Sequence, residues 1–213
     1  MTHKAFWDAP YRTELATTIT AVNGDVVQVA ATIFYAESGG QESDAGQFNQ
    51  WPVLAARKDG KAIHYTLPAG HDLQPGDAVT MQIDWPRRHA LMRLHFAAEI
   101  VLELVCAALP GVVKVGAHIA ADKARIDFLL DTPVTPLLPA LTEQANAIVI
   151  ADYAIESAFS DEAGERRYWQ IPALARVPCG GTHLRHTGEI GSIALKRKNV
   201  GKGKERIEIT VAA

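Results

Sequence analysis

Two short segments, far apart in the chain, each carry two potential metal ligands four residues apart. A fold that uses them together must bring both to one point. The first is His95-Phe96-Ala97-Ala98-Glu99 and the second is Cys179-Gly180-Gly181-Thr182-His183. Positions i and i+4 share one face of a helix, so His95 and Glu99 converge if their segment is helical. Gly180-Gly181 predicts a tight turn that folds the Cys179 thiolate and the His183 imidazole toward each other. The sulfur, two imidazole nitrogens and a carboxylate make a four-ligand set of the kind zinc takes, one ion per chain. A Cys179 nucleophile activated by a neighbouring histidine is the competing chemistry, but it leaves Glu99 without a role. A purely structural zinc is the third reading.

The other histidines lack a partner at ligand spacing. His64 and His118 fall inside predicted strands, and His3 and His71 read as solvent residues. His89 and His186 lie among basic residues, where a phosphate contact is as good a reading as ligation. Cys106 is about 16 Å beyond His95 at 1.5 Å per helical residue. That is too far to share its metal, so Cys106 is assigned to the core.

At 213 residues, 48% of them apolar and 21% charged, the chain can bury a sizeable core. Two cysteines cannot build a disulfide framework, which points to a reduced, cytoplasmic compartment. The start has no apolar leader, and no stretch approaches the roughly 18 apolar residues of a membrane span. A net charge of −3 argues against a generic nucleic-acid binder. Yet Lys196, Arg197, Lys198, Lys202, Lys204 and Arg206 crowd together near the C-terminus with Glu205 as their one acid.

From Leu15 to Asp84 short alternating segments are punctuated by Asn23-Gly24, Asp59-Gly60 and Pro75-Gly76, which predicts hairpins and five short strands. A small β-barrel-like domain over residues 1–86 is the expectation. One long polar, glycine-rich loop, Phe34 to Gly46, interrupts it and suits a ligand-facing role. Pro86 marks a helix start. Leu91, Leu94, Ala98, Val101 and Val105 form one helical stripe up to Pro110-Gly111, with His95 and Glu99 on its flank. Strands at Val112–Ile119 and Arg125–Leu130, a helix from about Pro139 to Ile150, and strands near Tyr153–Phe159, Gly191–Lys196 and Arg206–Val211 follow. Residues 87–213 therefore read as an α+β domain with long helices on a mostly antiparallel sheet.

In its motifs the chain resembles the freestanding AlaX-type alanyl-tRNA editing proteins of the medium-length group, and the editing domain of alanyl-tRNA synthetase. The residues that carry the likeness run in order from Asp8-Ala9-Pro10-Tyr11 and Thr32-Ile33-Phe34-Tyr35 to Ser38-Gly39-Gly40-Gln41 with Asp44 and Gly46. They continue through Asp84-Trp85, Met92-Arg93-Leu94-His95 and Arg125-Ile126-Asp127-Phe128. They end in Cys179-Gly180-Gly181-Thr182-His183, Thr187-Gly188-Glu189-Ile190-Gly191 and Lys196-Arg197-Lys198. One departure falls in the metal site. The family's helix carries His-x-x-x-His, whereas here Glu99 takes the second place and Phe96 replaces the usual Thr. Glu99 either ligates, which makes the centre formally neutral, or stays off the metal as a base. Ligation is the preferred reading.

The resemblance implies hydrolysis of the ester that joins a wrong amino acid to tRNA(Ala), serine foremost and glycine second. In that reading a zinc ion anchors or polarises the aminoacyl-adenosine end. The backbone N–H groups of Gly39 and Gly40 meet the oxyanion, and Thr32 and Gln41 line a pocket for the serine hydroxyl. Arg87, Arg88, Arg93, Lys196, Arg197, Lys198, Lys202 and Lys204 are the candidate tRNA phosphate contacts. Oligomeric state stays open. The alternatives are a tRNA- or zinc-binding module that has lost hydrolysis through the Glu99 change, and an aminoacyl ester hydrolase of other specificity.

Overall fold

The computed structural model describes residues 2–172, 174–201 and 203–212, so Lys202 of the basic run lies outside the described residues. The chain divides into two compact units, Met1–Ser38 with Glu42–His89, and Gly39–Gln41 with Ala90–Ala213.

The first unit opens with β1 (His3–Lys4) and the one-turn α1 (Ala5–Asp8), followed by β2 (Glu14–Asn23), β3 (Val26–Val29) and β4 (Ala31–Thr32). Next come β5 (Gly46–Phe48), β6 (Trp51–Pro52), β7 (Ala55–Asp59), β8 (Ala62–Thr66) and β9 (Ala78–Ile83). Seven of these form one antiparallel sheet in the order β6-β5-β9-β2-β3-β8-β7, and β1 pairs with β4 in parallel. Strand β2 alternates, with Leu15, Thr17 and Ile19 inward. Its first half pairs with β9 and its second half with β3, and a bulge between Ile19 and Ala21 lies where the partner changes. A bulge there adds twist and helps to curl the sheet. The hairpins expected at Asn23-Gly24 and Asp59-Gly60 form, with both glycines at the positive φ that such turns require.

The glycine-rich loop is closed at its neck. The Asp44 carboxylate accepts the Tyr35 N–H, the Asp44 N–H bonds the Tyr35 carbonyl, and the Arg88 guanidinium grips the same carboxylate. Arg88 also donates to the Ile33 and Pro10 carbonyls. Its side chain is fully enclosed, which corrects its assignment as a phosphate contact. Two adjacent arginines look like a surface patch in sequence. One of them is instead the partner of a buried aspartate brought in from the loop. Arg88→Leu is expected to destabilise the chain by about 3–5 kcal/mol, because it leaves Asp44 buried without its counter-charge. Urea unfolding reads this directly.

The helix α2 spans Trp85–Ala108. The Asp84 carboxylate accepts the Arg87 N–H at its first turn, as an N-cap should. The expected stripe is buried, but so are Met92, Phe96, Ala97 and Ile100, which makes α2 a core helix through its middle. Cys106 corrects the reading of it as core, because it is exposed. Residues 106–108 run past the last buried turn, and Cys106 points away from Val105, which stays covered.

The rest of the second unit holds β10 (Val113–Ile119), β11 (Ala124–Leu129), α3 (Leu138–Ile150), β12 (Glu156–Asp161), β13 (Arg166–Ile171), β14 (Ala175–Pro178), β15 (Ile193–Asn199) and β16 (Lys204–Val211). An antiparallel sheet of order β10-β11-β16-β15 is joined by a second, β12-β13-β14. Strands β13 and β14 are absent from the sequence reading. Helix α3 is tied to the start of β15 through Asn146, whose amide bonds both the N–H and the carbonyl of Ile193. The architecture is α+β and sheet-rich. Among the described residues no helix is long and apolar enough to cross a membrane.

Candidate metal centre

Strands β13 and β14 deliver the Cys179 turn. After β14 ends at Pro178, the Cys179 N–H bonds the Arg167 carbonyl of β13, which fixes the first residue of the turn. Gly181 then passes directly over His95. A Cβ built on Gly181 would lie 2.6 Å from His95 Cε1, whereas one on Gly180 meets nothing within 4 Å. Only the second glycine is therefore demanded by packing. On the helix side, His95 sits on the flank of α2 and is buried.

The two segments meet. His95 Nε2 is 3.2 Å and His183 Nε2 is 3.3 Å from Cys179 Sγ, and the two imidazole rings lie 5.4 Å apart. These three residues offer one ligand atom each, all within 4.8 Å of one another, so the group can hold a metal ion. Ser157 Oγ lies 2.8 Å from His183 Nδ1 and can accept its proton, which leaves Nε2 a lone pair aimed at the centre. His95 Nδ1 is buried and has no hydrogen-bond partner among the described residues. Glu99 stands beside the group rather than within it. Its Oε1 is 3.7 Å from both His95 Nε2 and Cys179 Sγ, and its Oε2 accepts the Trp169 indole N–H at 3.1 Å.

Burial controls the protonation of this cluster. It lowers His95 against the pull of Glu99, and it lowers His183 well below the ordinary range, helped by His95 and Arg167. It pushes the Cys179 thiol up to about 12, with the Glu99 charge adding to the effect. Neutral imidazoles are ready ligands, while the thiol must lose its proton to a cation. The metal-free chain should therefore lose stability as pH falls from about 6.5. The unfolded histidines take up protons that the buried ones refuse, so the unfolded state binds more protons and is favoured in acid. Melting temperature against pH, with His183→Gln as the reference, measures this.

The remaining predicted residues divide. Gln41 joins the centre: its Nε2 donates to Thr182 Oγ1 at 3.3 Å, immediately before His183 in the chain. Both Gln41 and Thr182 are buried, and Gln41 Oε1 has no partner among the described residues. Thr182 is a site residue that the sequence reading passed over, although its place inside the Cys179–His183 turn was the available signal. Gly39 and Gly40 both have positive φ. The Gly40 carbonyl accepts the Ile119 N–H, and a Cβ on Gly40 would strike the Ala117 carbonyl at 2.6 Å. Thr32 is enclosed in the first unit, where its hydroxyl lies 2.6 Å from Tyr65 Oη and accepts the Phe34 N–H.

Comparison with known sequences bears on this centre. Residues 176–208 match the family described as "Threonyl and Alanyl tRNA synthetase second additional domain", a span that includes the Cys179–His183 turn. The alanyl-tRNA editing protein AlaX-M of Pyrococcus horikoshii is 31% identical over 98% of this chain and 97% of its own length. The chain belongs to the AlaX-M family of alanyl-tRNA editing proteins. Another AlaX-M protein, from Saccharolobus solfataricus, is 29% identical over 99% of both chains. An alanine–tRNA ligase of Methanococcus aeolicus is 28% identical over 98% of this chain but only 25% of its own length.

In this member of the AlaX-M family the basic residues serve more than one purpose. Arg197 forms two bonds to the buried Glu205, at 2.5 and 2.6 Å, and Glu205 also accepts the Val134 N–H. Arg87 bonds Glu42 and the Ser43 carbonyl, and Arg93 ties α2 to the Ile190 and Ala212 carbonyls. Lys196, Lys198 and Lys204 are exposed, and Lys198 makes a loose 3.9 Å pairing with Glu208. The motif Thr187–Ile190 is a one-turn 3-10 helix. It braces α3, with the Thr187 hydroxyl on the Ile148 carbonyl and Glu189 accepting the Arg185 and His186 N–H groups. His71, expected in solvent, is half-buried and bonds the Gly24 carbonyl.

Proposed function

We propose that this chain is an aminoacyl-tRNA deacylase that removes serine from mischarged tRNA(Ala), acting in trans, with one zinc ion held by His95, Cys179 and His183. The observation that carries the proposal is the convergence of those three side chains beside Gln41, in a chain that matches AlaX-M relatives from end to end. Nitrogen, sulfur and nitrogen donors suit zinc better than a hard cation. When bound there, zinc supplies a Lewis acid that anchors and polarises the aminoacyl end.

The chain's own groups do the rest. The ester is already activated, so orientation and charge stabilisation are the main requirements. Gly39 and Gly40 offer backbone N–H groups to the developing oxyanion. Gln41 supplies discrimination. Its amide already bonds Thr182 through one atom and leaves the other buried and unpaired, and flipping the amide only exchanges which atom is left over. A serine hydroxyl satisfies that atom, whereas alanine leaves it unsatisfied. Lys196, Lys198 and Lys204 meet tRNA phosphates, a salt-sensitive and sequence-blind contact. The same reading takes the curled sheet of the first unit as a small barrel. In its support, edge strands β6 and β7 are separated by only Val53 and Leu54, whose N–H groups bond Gly46 and Thr66.

The test is deacylation of Ser-tRNA(Ala) and Ala-tRNA(Ala) by the purified chain. Release of serine at least about 100-fold faster than alanine is expected, the scale that an unpaired buried polar group supports. Equal rates on both would rule out a hydroxyl-reading site. Binding of tRNA without any release would leave only a binding module.

A further inference from the structure

Glu99 stands beside the ligand group, and one residue outside that group controls how its carboxylate is presented. Trp169 lies on β13 and is fully buried. Its ring packs edge-on against Phe96 at 5.1 Å, and Phe96 packs edge-on against His183 at 5.8 Å. The indole therefore has little freedom to turn. Its N–H meets Glu99 Oε2 at 3.1 Å, and the other oxygen, Oε1, faces His95 Nε2 and Cys179 Sγ at 3.7 Å from each. Strand β13 thus does two things at once: Arg167 receives the N–H of Cys179, and Trp169, two residues on, holds the carboxylate.

We propose that Trp169 is a positioning residue of the metal centre: its indole N–H ties down one oxygen of Glu99, so that the carboxylate presents a single oxygen to the His95, Cys179 and His183 group. An untethered carboxylate could offer both oxygens to a metal, which changes coordination number and charge at once. The tether makes the glutamate behave as a one-atom donor or acceptor toward the group. Outer groups that orient inner ones commonly change metal affinity by about 10–100-fold when removed. The chemistry supports an effect of that size here, because the indole is fully buried and the carboxylate is only 18% exposed.

The proposal rests on reading the site as a metal centre, and its test does not depend on catalysis. Metal-free full-length chain is titrated with Co2+, following visible absorption and competition against a chelator. Trp169→Phe keeps a ring against Phe96 and removes the N–H, and Trp169→Tyr serves as a second variant should the first fail to fold. Either is expected to alter the cobalt spectrum and change affinity by at least about tenfold. In a Glu99→Ala background the same substitution is expected to change neither. An unchanged spectrum and affinity in the single variants would overturn the proposal. So would an equal change with and without Glu99, because the indole would then act by packing alone. A native chain that takes up no cobalt would overturn it too. A chain that binds cobalt as described but releases no serine would instead sink the deacylase reading and leave the tether standing.

Discussion

Replacing Cys179 or His183 by alanine is expected to remove the metal and to lower Ser-tRNA(Ala) deacylation by at least about 100-fold, with each change alone nearly as damaging as the two together. The geometry gives the reason. Cys179 Sγ lies within 3.3 Å of both imidazole nitrogens, so its loss removes what joins His95 to His183. His183 in turn is held from both ends, by Cys179 at Nε2 and by Ser157 at Nδ1. Residues that act as one unit give non-additive effects, and a ligand set is such a unit. Cys179→Ser is the sharper variant, because it keeps the size and removes the soft donor. Metal content by mass spectrometry of the intact chain, measured beside the rate, checks both halves.

The second large effect concerns backbone rather than ligands. Gly181→Ala is expected to drive the His95 ring out of place and to cost metal affinity and rate by about 100-fold, whereas Gly180→Ala is expected to change either by less than about threefold. A methyl group at position 181 would sit 2.6 Å from one ring carbon of His95 and 2.8 Å from Nε2, the nitrogen that faces Cys179 Sγ. His95 is itself buried, which leaves its ring little room to retreat. A displacement of about 1 Å is enough to break a preorganised constellation. The pair of variants differs by one position in the same turn. Equal behaviour would show that the turn matters only for its flexibility.

Much of the fold was legible because period and punctuation agree. The apolar stripe of α2, its Pro86 start and its Pro110-Gly111 stop predicted a helix within two residues of the observed Trp85–Ala108. The Asn-Gly and Asp-Gly hairpins formed as their turn chemistry requires. Strand β13 was not legible, and the reason is specific. Its inward face reads Arg167, Trp169, Ile171, so a buried cation interrupts the apolar alternation that marks a strand. With β13 unseen, Trp169 and its hold on Glu99 could not be anticipated.

The candidate metal group of His95, Cys179 and His183 was readable for a different reason. Its chemistry is local, one residue on a helix and two across a turn, and the fold needs only to bring two segments together. Arg88 misled because its partner, Asp44, is joined to it only by the folded chain. Cys106 misled because an apolar residue near a helix end carries no mark of where the surrounding structure stops covering it.

The most direct measurement is a single preparation carried through removal and return of its metal. The account predicts one zinc per purified chain, loss of Ser-tRNA(Ala) deacylation when a chelator strips it, and recovery when one equivalent is restored. Full activity in the stripped chain, confirmed metal-free by mass spectrometry, would contradict the account.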